Sequence, residues 1–284
     1  MAPRRLEPGT LWRRAARRSQ QALERGALQP IATEVIDFVE DDICFSVRLV
    51  GGLHHKLDAA RTQRATRANP FLPVEAALFV SDVSETHICL LNKFTVLDHH
   101  LLIVTRSFEE QESLLTSNDF QALAACMAEF DGLGFYNSGP VAGASQRHKH
   151  LQLVPVPIGA GPDRVPVEAR LRAGTLPFEH AASRVDGRDA EAVEHVYHQQ
   201  IESLGLCDQR ETPAPYNFFT TREWMVTIPR RQERVDGISL NALAFAGSLL
   251  VRNRSQLEAL RQCGALDLLI RAAGRAEPGG DLSD

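Results

Sequence analysis

Between Ala144 and Pro157 the chain reads ASQRHKHLQLVPVP, which places His148, His150 and Gln152 at alternate positions. In a β-strand such residues share one face while Lys149, Leu151 and Leu153 share the other, so two imidazoles and a carboxamide would converge. Taken alone, the spacing allows three readings. It can be a polar stripe on the solvent side of an antiparallel sheet. It can be a zinc clip, although glutamine is a poor third ligand beside two imidazoles. Or it can be a nucleophile with two attendants, since imidazole is largely neutral near pH 7 and forms reactive covalent intermediates. The residues upstream bear on the choice. The run from Asn137 to Gln146, NSGPVAGASQ, supplies two glycines, two hydroxyls and two amides, the materials of a backbone N–H nest around an anion. A glycine-rich loop that runs straight into a one-sided His-x-His-x-Gln strand is much less easily explained as packing.

The run from Tyr136 to Gln152, YNSGPVAGASQRHKHLQ, resembles the active-site signature of the diadenosine tetraphosphate phosphorylases (ATP adenylyltransferases). These belong to the histidine-triad superfamily, in the branch that includes galactose-1-phosphate uridylyltransferase. GALQPIAT from Gly26, NPFLP from Asn69, LNKFTV from Leu91, HLLIVT from His100, YNFFTTREW from Tyr216 and IPR from Ile228 are similar to the same family in the same order, so the resemblance spans nearly the full chain.

The resemblance implies roles residue by residue. His150 would attack the α-phosphorus of an adenylyl donor to form an AMP–His150 intermediate, and His148 would orient the loop and the nucleotide phosphates. Gln152 stands where related hydrolases carry a third histidine, and would offer an amide to a phosphate oxygen without bringing a titratable proton. Nucleotide binding would fall to Lys56, Asn92, Lys93, Asn137, Gly143, Ala144, Ser145 and Gln146, with a looser correspondence at Arg230 and Asn241. His100 matches a further family histidine. The implied reaction is phosphorolysis of diadenosine tetraphosphate to ADP and ATP, reversibly, with adenine nucleotides and inorganic phosphate as the partners. Two alternatives stay open: adenosine 5′-phosphosulfate as donor, releasing sulfate and ADP as an ADP sulfurylase, and a non-catalytic adenine-nucleotide sensor. A divalent cation such as Mg2+ would accompany the polyphosphate, with no dedicated metal cage and no organic cofactor. Thr95 and Arg147 depart from the family pattern, which often has proline at both, and could change loop rigidity or add a cationic contact.

These groups need a scaffold, and the resemblance implies an α/β (α+β) fold of histidine-triad type: a twisted antiparallel sheet with helices packed on one face. Patterning supplies the elements. Apolar residues Leu11, Trp12, Ala15, Ala16, Ala22 and Leu23 predict an amphipathic helix between Thr10 and Leu28. Strands are expected over Val35–Val39, Ile43–Leu49, His87–Asn92 and Leu101–Thr105, a helix from Asn118 to Phe130 capped by Asn118-Asp119, and a motif strand ended by Pro155 and Pro157. Residues 158–190 read as a surface excursion and 190–205 as a helix. Tyr216–Thr221 and Trp224–Pro229 form a strand pair, and Leu240–Val251 reads as a buried helix. Residues 1–205 would form the catalytic region, 206–273 would complete the same compact domain, and 274–284 would be a flexible tail.

Composition bounds the rest. A chain of 284 residues with 44% hydrophobic and 24% charged residues can bury a core without staples. The formal net charge of -5 argues against a general nucleic-acid binder. Five scattered cysteines, with no Cys-x-x-Cys, read as reduced thiols. No apolar run approaches the roughly 20 residues of a membrane helix, no secretory signal is evident, and the arginines between Arg4 and Arg18 read as a solvated helix face. The cytoplasm is the expected compartment.

Overall fold

The computed structural model describes residues 5–51, 69–207 and 212–276. Its frame is an eight-stranded antiparallel sheet in the order β3-β4-β5-β7-β6-β9-β10-β8. The strands are β3 (Phe79–Asp82), β4 (His87–Leu91), β5 (Leu101–Thr105), β6 (Gly132–Asn137), β7 (His150–Pro155), β8 (Ala181–Arg184), β9 (Tyr216–Thr220) and β10 (Trp224–Pro229). A two-stranded ribbon pairs β11 (Arg234–Val235) with β12 (Ile238–Ser239), and a further sheet, in the order β1-β2-β13, joins β1 (Thr33–Glu40) and β2 (Ile43–Val50) to β13 (Ser248–Val251), which runs parallel to β2.

Alternation along the central strands decides which layer covers which face. Leu151 and Leu153 of β7, with Leu101 and Ile103 of β5, pack under three helices: α1 (Leu11–Glu24), α2 (Ser117–Met127) and α4 (Ala190–Ser203). Val154 of β7 and Phe135 of β6 face the other way, into a core shared with β2 and β13. That core also takes in α6 (Arg254–Cys263) and α7 (Ala265–Ala273), so the second face is covered as well, by a sheet and two helices. Such two-sided cover explains why every residue of β6 and β9 is buried.

Several expectations shift. The first helix is confined to Leu11–Glu24, and the second begins at Ser117 because Thr116 precedes it, with the Asp119 carboxylate accepting from the Thr116 N–H (2.7 Å). Gly132-Leu133-Gly134 does not merely end that helix but opens β6, where a Cβ on Gly134 would stand 2.8 Å from Leu123 of α2. The excursion holds a short helix, α3 (Glu168–Arg172), and the edge strand β8. The expected helix Leu240–Val251 is overturned: only α5 (Ala242–Phe245) is helical, and Gly247, at a φ of 98°, turns the chain into β13. A mostly apolar run carries no clear period that separates a buried helix from a buried parallel strand. The motif strand starts at His150, so His148 lies ahead of it rather than on its face.

Among the described residues no helix is long and apolar enough to cross a membrane. All five cysteines are unpaired thiols.

Candidate active site

A cleft of about 360 Å³ opens between the central strands of the large sheet and the β2–β13 pair. That volume suits a small-molecule ligand. Of the sequence-predicted residues, His150, Gln152, Asn92, Lys93, Asn137, Gly143, Ser145, Gln146 and Asn241 line it together. Lys56 lies outside the described residues. His148, Ala144 and Arg230 do not line the cleft.

His150 begins β7 at the centre of the sheet, opposite Val104 of β5. Its Nδ1 lies 2.8 Å from the His148 carbonyl. A carbonyl can only accept, so Nδ1 carries the proton and the neutral ring keeps its lone pair on Nε2. Burial, offset only in part by that hydrogen bond, lowers the His150 pKa to about 4, which keeps the ring neutral and nucleophilic at pH 7.

His148 serves this geometry from behind. Its Nε2 donates to the Thr105 carbonyl (2.8 Å) and its Nδ1 accepts from Asn69 Nδ2 (2.8 Å). Burial lowers its pKa too. Both ring nitrogens are consumed within the protein, so His148 contributes its backbone carbonyl to His150 and no side-chain atom to the cleft. Asn69 and Phe71 give the NPFLP run a purpose that its turn-rich composition did not disclose. Asn69 holds His148, and the Phe71 ring lies 5.6 Å and 5.2 Å from the His148 and His150 rings.

Asn137 ends β6. Its Oδ1 accepts from Asn217 Nδ2 (2.8 Å) and from the Ala242 N–H (2.9 Å), leaving its amide N–H2 as the group available to the cleft. Beyond it the loop folds through a 3-10 turn at Pro140–Ala142 into Gly143, whose φ of 90° and close approach to Leu240 and Asn241 admit no side chain. A Cβ there would sit 2.7 Å from the Leu240 carbonyl oxygen. The N–H groups of Gly143 and Ala144 are taken up inside the loop by Pro140 and Gly139. The anion nest is therefore narrower than its glycines suggested: among the described residues, the N–H groups of Ser145 and Gln146 are the ones without a protein acceptor.

Arg230 is placed as a brace. Its guanidinium is buried over the Phe245 ring and donates to Asn217 Oδ1 and to the carbonyls of Ala142, Leu240 and Gln232. It thereby joins the loop to the C-terminal segment that carries Asn241. Asn241 caps α5, accepting from the Ala244 N–H (3.3 Å), and still lines the cleft. At the cleft mouth Lys93 pairs with Glu75 (2.9 Å). Among the described residues Glu75 is the one acidic side chain in the lining, and no three His, Cys, Asp or Glu side chains cluster to hold a metal ion.

Gln111, which no motif singled out, is buried against His150 and Asn137. Its Nε2 donates to the Asn137 carbonyl (2.9 Å) as well as to that of His150. The departures from the family pattern are also accounted for. The Thr95 hydroxyl closes its own turn onto Leu97, standing in for proline's rigidity. Arg147 is 79% exposed and pairs with Glu110 (2.6 Å), away from the cleft.

The chain is similar to known proteins over most of its length. Residues 1–173 match the family model "Ap4A phosphorylase N-terminal domain" and residues 174–274 match "ATP adenylyltransferase C-terminal domain". The chain is 28% identical over 247 residues to diadenosine 5',5'''-P1,P4-tetraphosphate phosphorylase 2 of Saccharomyces cerevisiae, covering 73% of this chain and 76% of that protein. Protein APA1 of the same yeast is 28% identical over 199 residues, 58% of this chain and 61% of that protein. The crystal structure of yeast Ap4A phosphorylase Apa2 superposes with a TM-score of 0.77 at 22% identity, covering 96% of this chain and 97% of that one. The same yeast protein in complex with Ap4A gives 0.78 at 20% identity, covering 95% and 99%. At those identities the structural likeness speaks to the fold.

Proposed function

Since the chain belongs to the family defined by the Ap4A phosphorylase N-terminal and ATP adenylyltransferase C-terminal domains, we propose that it is a nucleotidyltransferase. Its reaction is the phosphorolysis of diadenosine tetraphosphate to ADP and ATP. The observation that carries this reading is the bare Nε2 of a buried, neutral His150, fixed by the His148 carbonyl and lining one cleft with the donors Gln152, Asn137, Ser145 and Gln146.

The chemistry follows as a double displacement. The Nε2 lone pair of His150 attacks the α-phosphorus, an Nε2–P bond forms, and the bond from that phosphorus to the bridging oxygen breaks, so that ATP leaves with the electron pair. The imidazolium so formed keeps its Nδ1–H on the His148 carbonyl, which disperses the new positive charge. Inorganic phosphate then attacks the same phosphorus, the N–P bond breaks, and ADP departs from a neutral imidazole. Burial helps twice, keeping the ring unprotonated beforehand and making it a weakly basic leaving group in the second step. Gln152, Asn137 and the Ser145 and Gln146 N–H groups are the donors for phosphate oxygens, and Lys93 and Lys56 supply positive charge.

A divalent cation would travel with the polyphosphate, coordinated by phosphate oxygens. The described lining fits that role and not a resident cage, because Glu75 is held by Lys93. The cytoplasm remains the proposed compartment. Adenosine phosphosulfate as donor and the sensor reading are not favoured, since the curated relative named above is a tetraphosphate phosphorylase. The test offers the purified protein each adenylyl donor with phosphate or water as acceptor and quantifies ADP, ATP, AMP and sulfate. ADP with ATP, dependent on phosphate, is the expected outcome; AMP formed with water as the preferred acceptor contradicts it.

A further inference from the structure

Asn92 and His100 face each other across the end of the β4–β5 hairpin, just beyond the paired Leu91 and Leu101. The Asn92 N–H bonds the His100 carbonyl (2.9 Å), which fixes the two residues together. Their side chains continue the contact: Asn92 Nδ2 lies 3.2 Å from His100 Nδ1, and His100 Nε2 lies 2.9 Å from Gln152 Oε1 on the neighbouring strand β7. All three residues line the cleft with His150.

With Asn92 presenting Nδ2 and Gln152 presenting Oε1 to His100, the polarity of this chain follows link by link. An amide N–H2 only donates, so the His100 Nδ1 that receives it must be bare. The neutral ring then carries its proton on Nε2 and donates it to an oxygen, which holds the Gln152 carboxamide with Oε1 toward His100. Gln152 Nε2 has no protein acceptor among the described residues, and it is the end left for the substrate. The opposite polarity would satisfy the same distances with both amides flipped and the His100 proton on Nδ1. It would, however, aim the Gln152 carbonyl oxygen at an anionic phosphate.

We propose that His100 is a positioning residue whose hydrogen bond to Gln152 sets that amide as a donor toward the phosphoryl group attacked by His150, with Asn92 selecting the His100 tautomer that makes this possible. The inference rests on the adenylyl-transfer reading and deepens it. The Asn-Lys motif, assigned above to nucleotide binding, thereby also sets the polarity of the catalytic strand. Burial pushes the His100 pKa down to about 4, so the ring stays neutral and the relay holds its sense across the physiological range.

Two measurements test it. The His100 tautomer is read by 15N NMR on the unmodified protein, whatever its activity. Nε2–H is expected, and Nδ1–H overturns the proposal. A double-mutant cycle then measures kcat for Ap4A phosphorolysis in wild type, His100→Phe, Gln152→Ala and the pair. His100→Phe should lower kcat by about 10-fold, a fraction of what loss of a whole transition-state donor costs, and by less than about 2-fold in the Gln152→Ala background. Equal losses in both backgrounds mean that His100 only supports the sheet. His100→Gln, whose amide can accept at one end and donate at the other, should regain much of the loss, and it carries the cycle if His100→Phe does not fold. An inactive wild type counts against the adenylyl-transfer reading, whereas an active one with additive losses counts against the relay alone.

Discussion

The side-chain amide of Gln111 is hydrogen-bonded to both backbone polar groups of His150: Oε1 accepts from the His150 N–H (2.8 Å) and Nε2 donates to the His150 carbonyl (3.2 Å). The β6–β7 pairing ends at Phe135 opposite Gln152, and beyond it one side chain stands in for the neighbouring strand. Gln111→Leu would leave these groups and the Asn137 carbonyl unpaired in a buried site, at a cost of about 1–3 kcal/mol. The prediction is a kcat reduced about 10-fold or more with a smaller change in KM, because the nucleophile's aim is disturbed more than the nucleotide's contacts. Gln111→Glu keeps an acceptor for the His150 N–H but sets a buried carboxylate oxygen against the two carbonyl oxygens, so it should be at least as damaging. Denaturant unfolding and steady-state kinetics on the same preparations check both.

The pH dependence has a defined sign. Burial lowers the pKa values of His100 and His150 to about 4 from an ordinary 6.5. Between those values the unfolded chain binds protons that the folded chain does not, so stability rises with pH there. The contribution is fully present above about pH 6.5 and is lost as pH falls toward 4. For the same reason kcat/KM should show no protonation limb of the nucleophile between pH 5 and 7.5. A limb at an ordinary histidine pKa that disappears in a His150 variant would contradict the neutral, buried nucleophile.

Arg230 separates a brace from a ligand contact. A phosphate-binding arginine tolerates lysine in part, because the charge is retained. A guanidinium that donates to Asn217, Ala142, Leu240 and Gln232 cannot be imitated by one ammonium. Arg230→Lys should therefore lower stability by about 1–3 kcal/mol, with AMP binding weakened through the loop. A fully stable variant that loses nucleotide affinity would restore Arg230 to the ligand.

Behind the motif, Lys149 is wholly buried and pairs with Asp119 (2.7 Å), which also takes His87 Nε2 (3.0 Å). Burial would raise the Asp119 pKa, but its hydrogen bonds from His87 and Lys149 and the Lys149 charge outweigh that and hold it at about 2. Lys149→Met should cost about 3–5 kcal/mol by stranding a buried carboxylate, and adding Asp119→Asn, which removes the charge but keeps an acceptor for the Thr116 N–H, should recover part of it. Calorimetry or denaturant unfolding of the single and double variants reads this coupling.

Much of the frame is legible in the sequence, where side-chain periodicity is unambiguous. His150, Gln152 and Val154 do share one face of β7 and Leu151 and Leu153 the other, as alternation requires. The reading fails where the chemistry of a residue is spent on backbone. His148 and Arg230 look like substrate-facing cations, yet every hydrogen bond they make is internal, and only the fold shows which carbonyls surround them. Gln111 is invisible for the complementary reason: a lone glutamine between Glu109-Glu110 and Glu112 has no spacing that marks it, and its partners are the backbone groups of residues 26 and 39 positions away. The run Leu240–Val251 misleads because burial on all sides removes the period that distinguishes helix from strand.

A covalent AMP on His150 Nε2 can be trapped. The protein is incubated with Ap4A carrying a label at the α-phosphorus, phosphate is withheld, and the chain is digested under alkaline conditions for mass spectrometry. An acid-labile AMP adduct on the peptide containing His150, released as ADP when phosphate is added and absent from His150→Ala, is the predicted result. An adduct on another residue, or ADP formation that persists in His150→Ala, would contradict it.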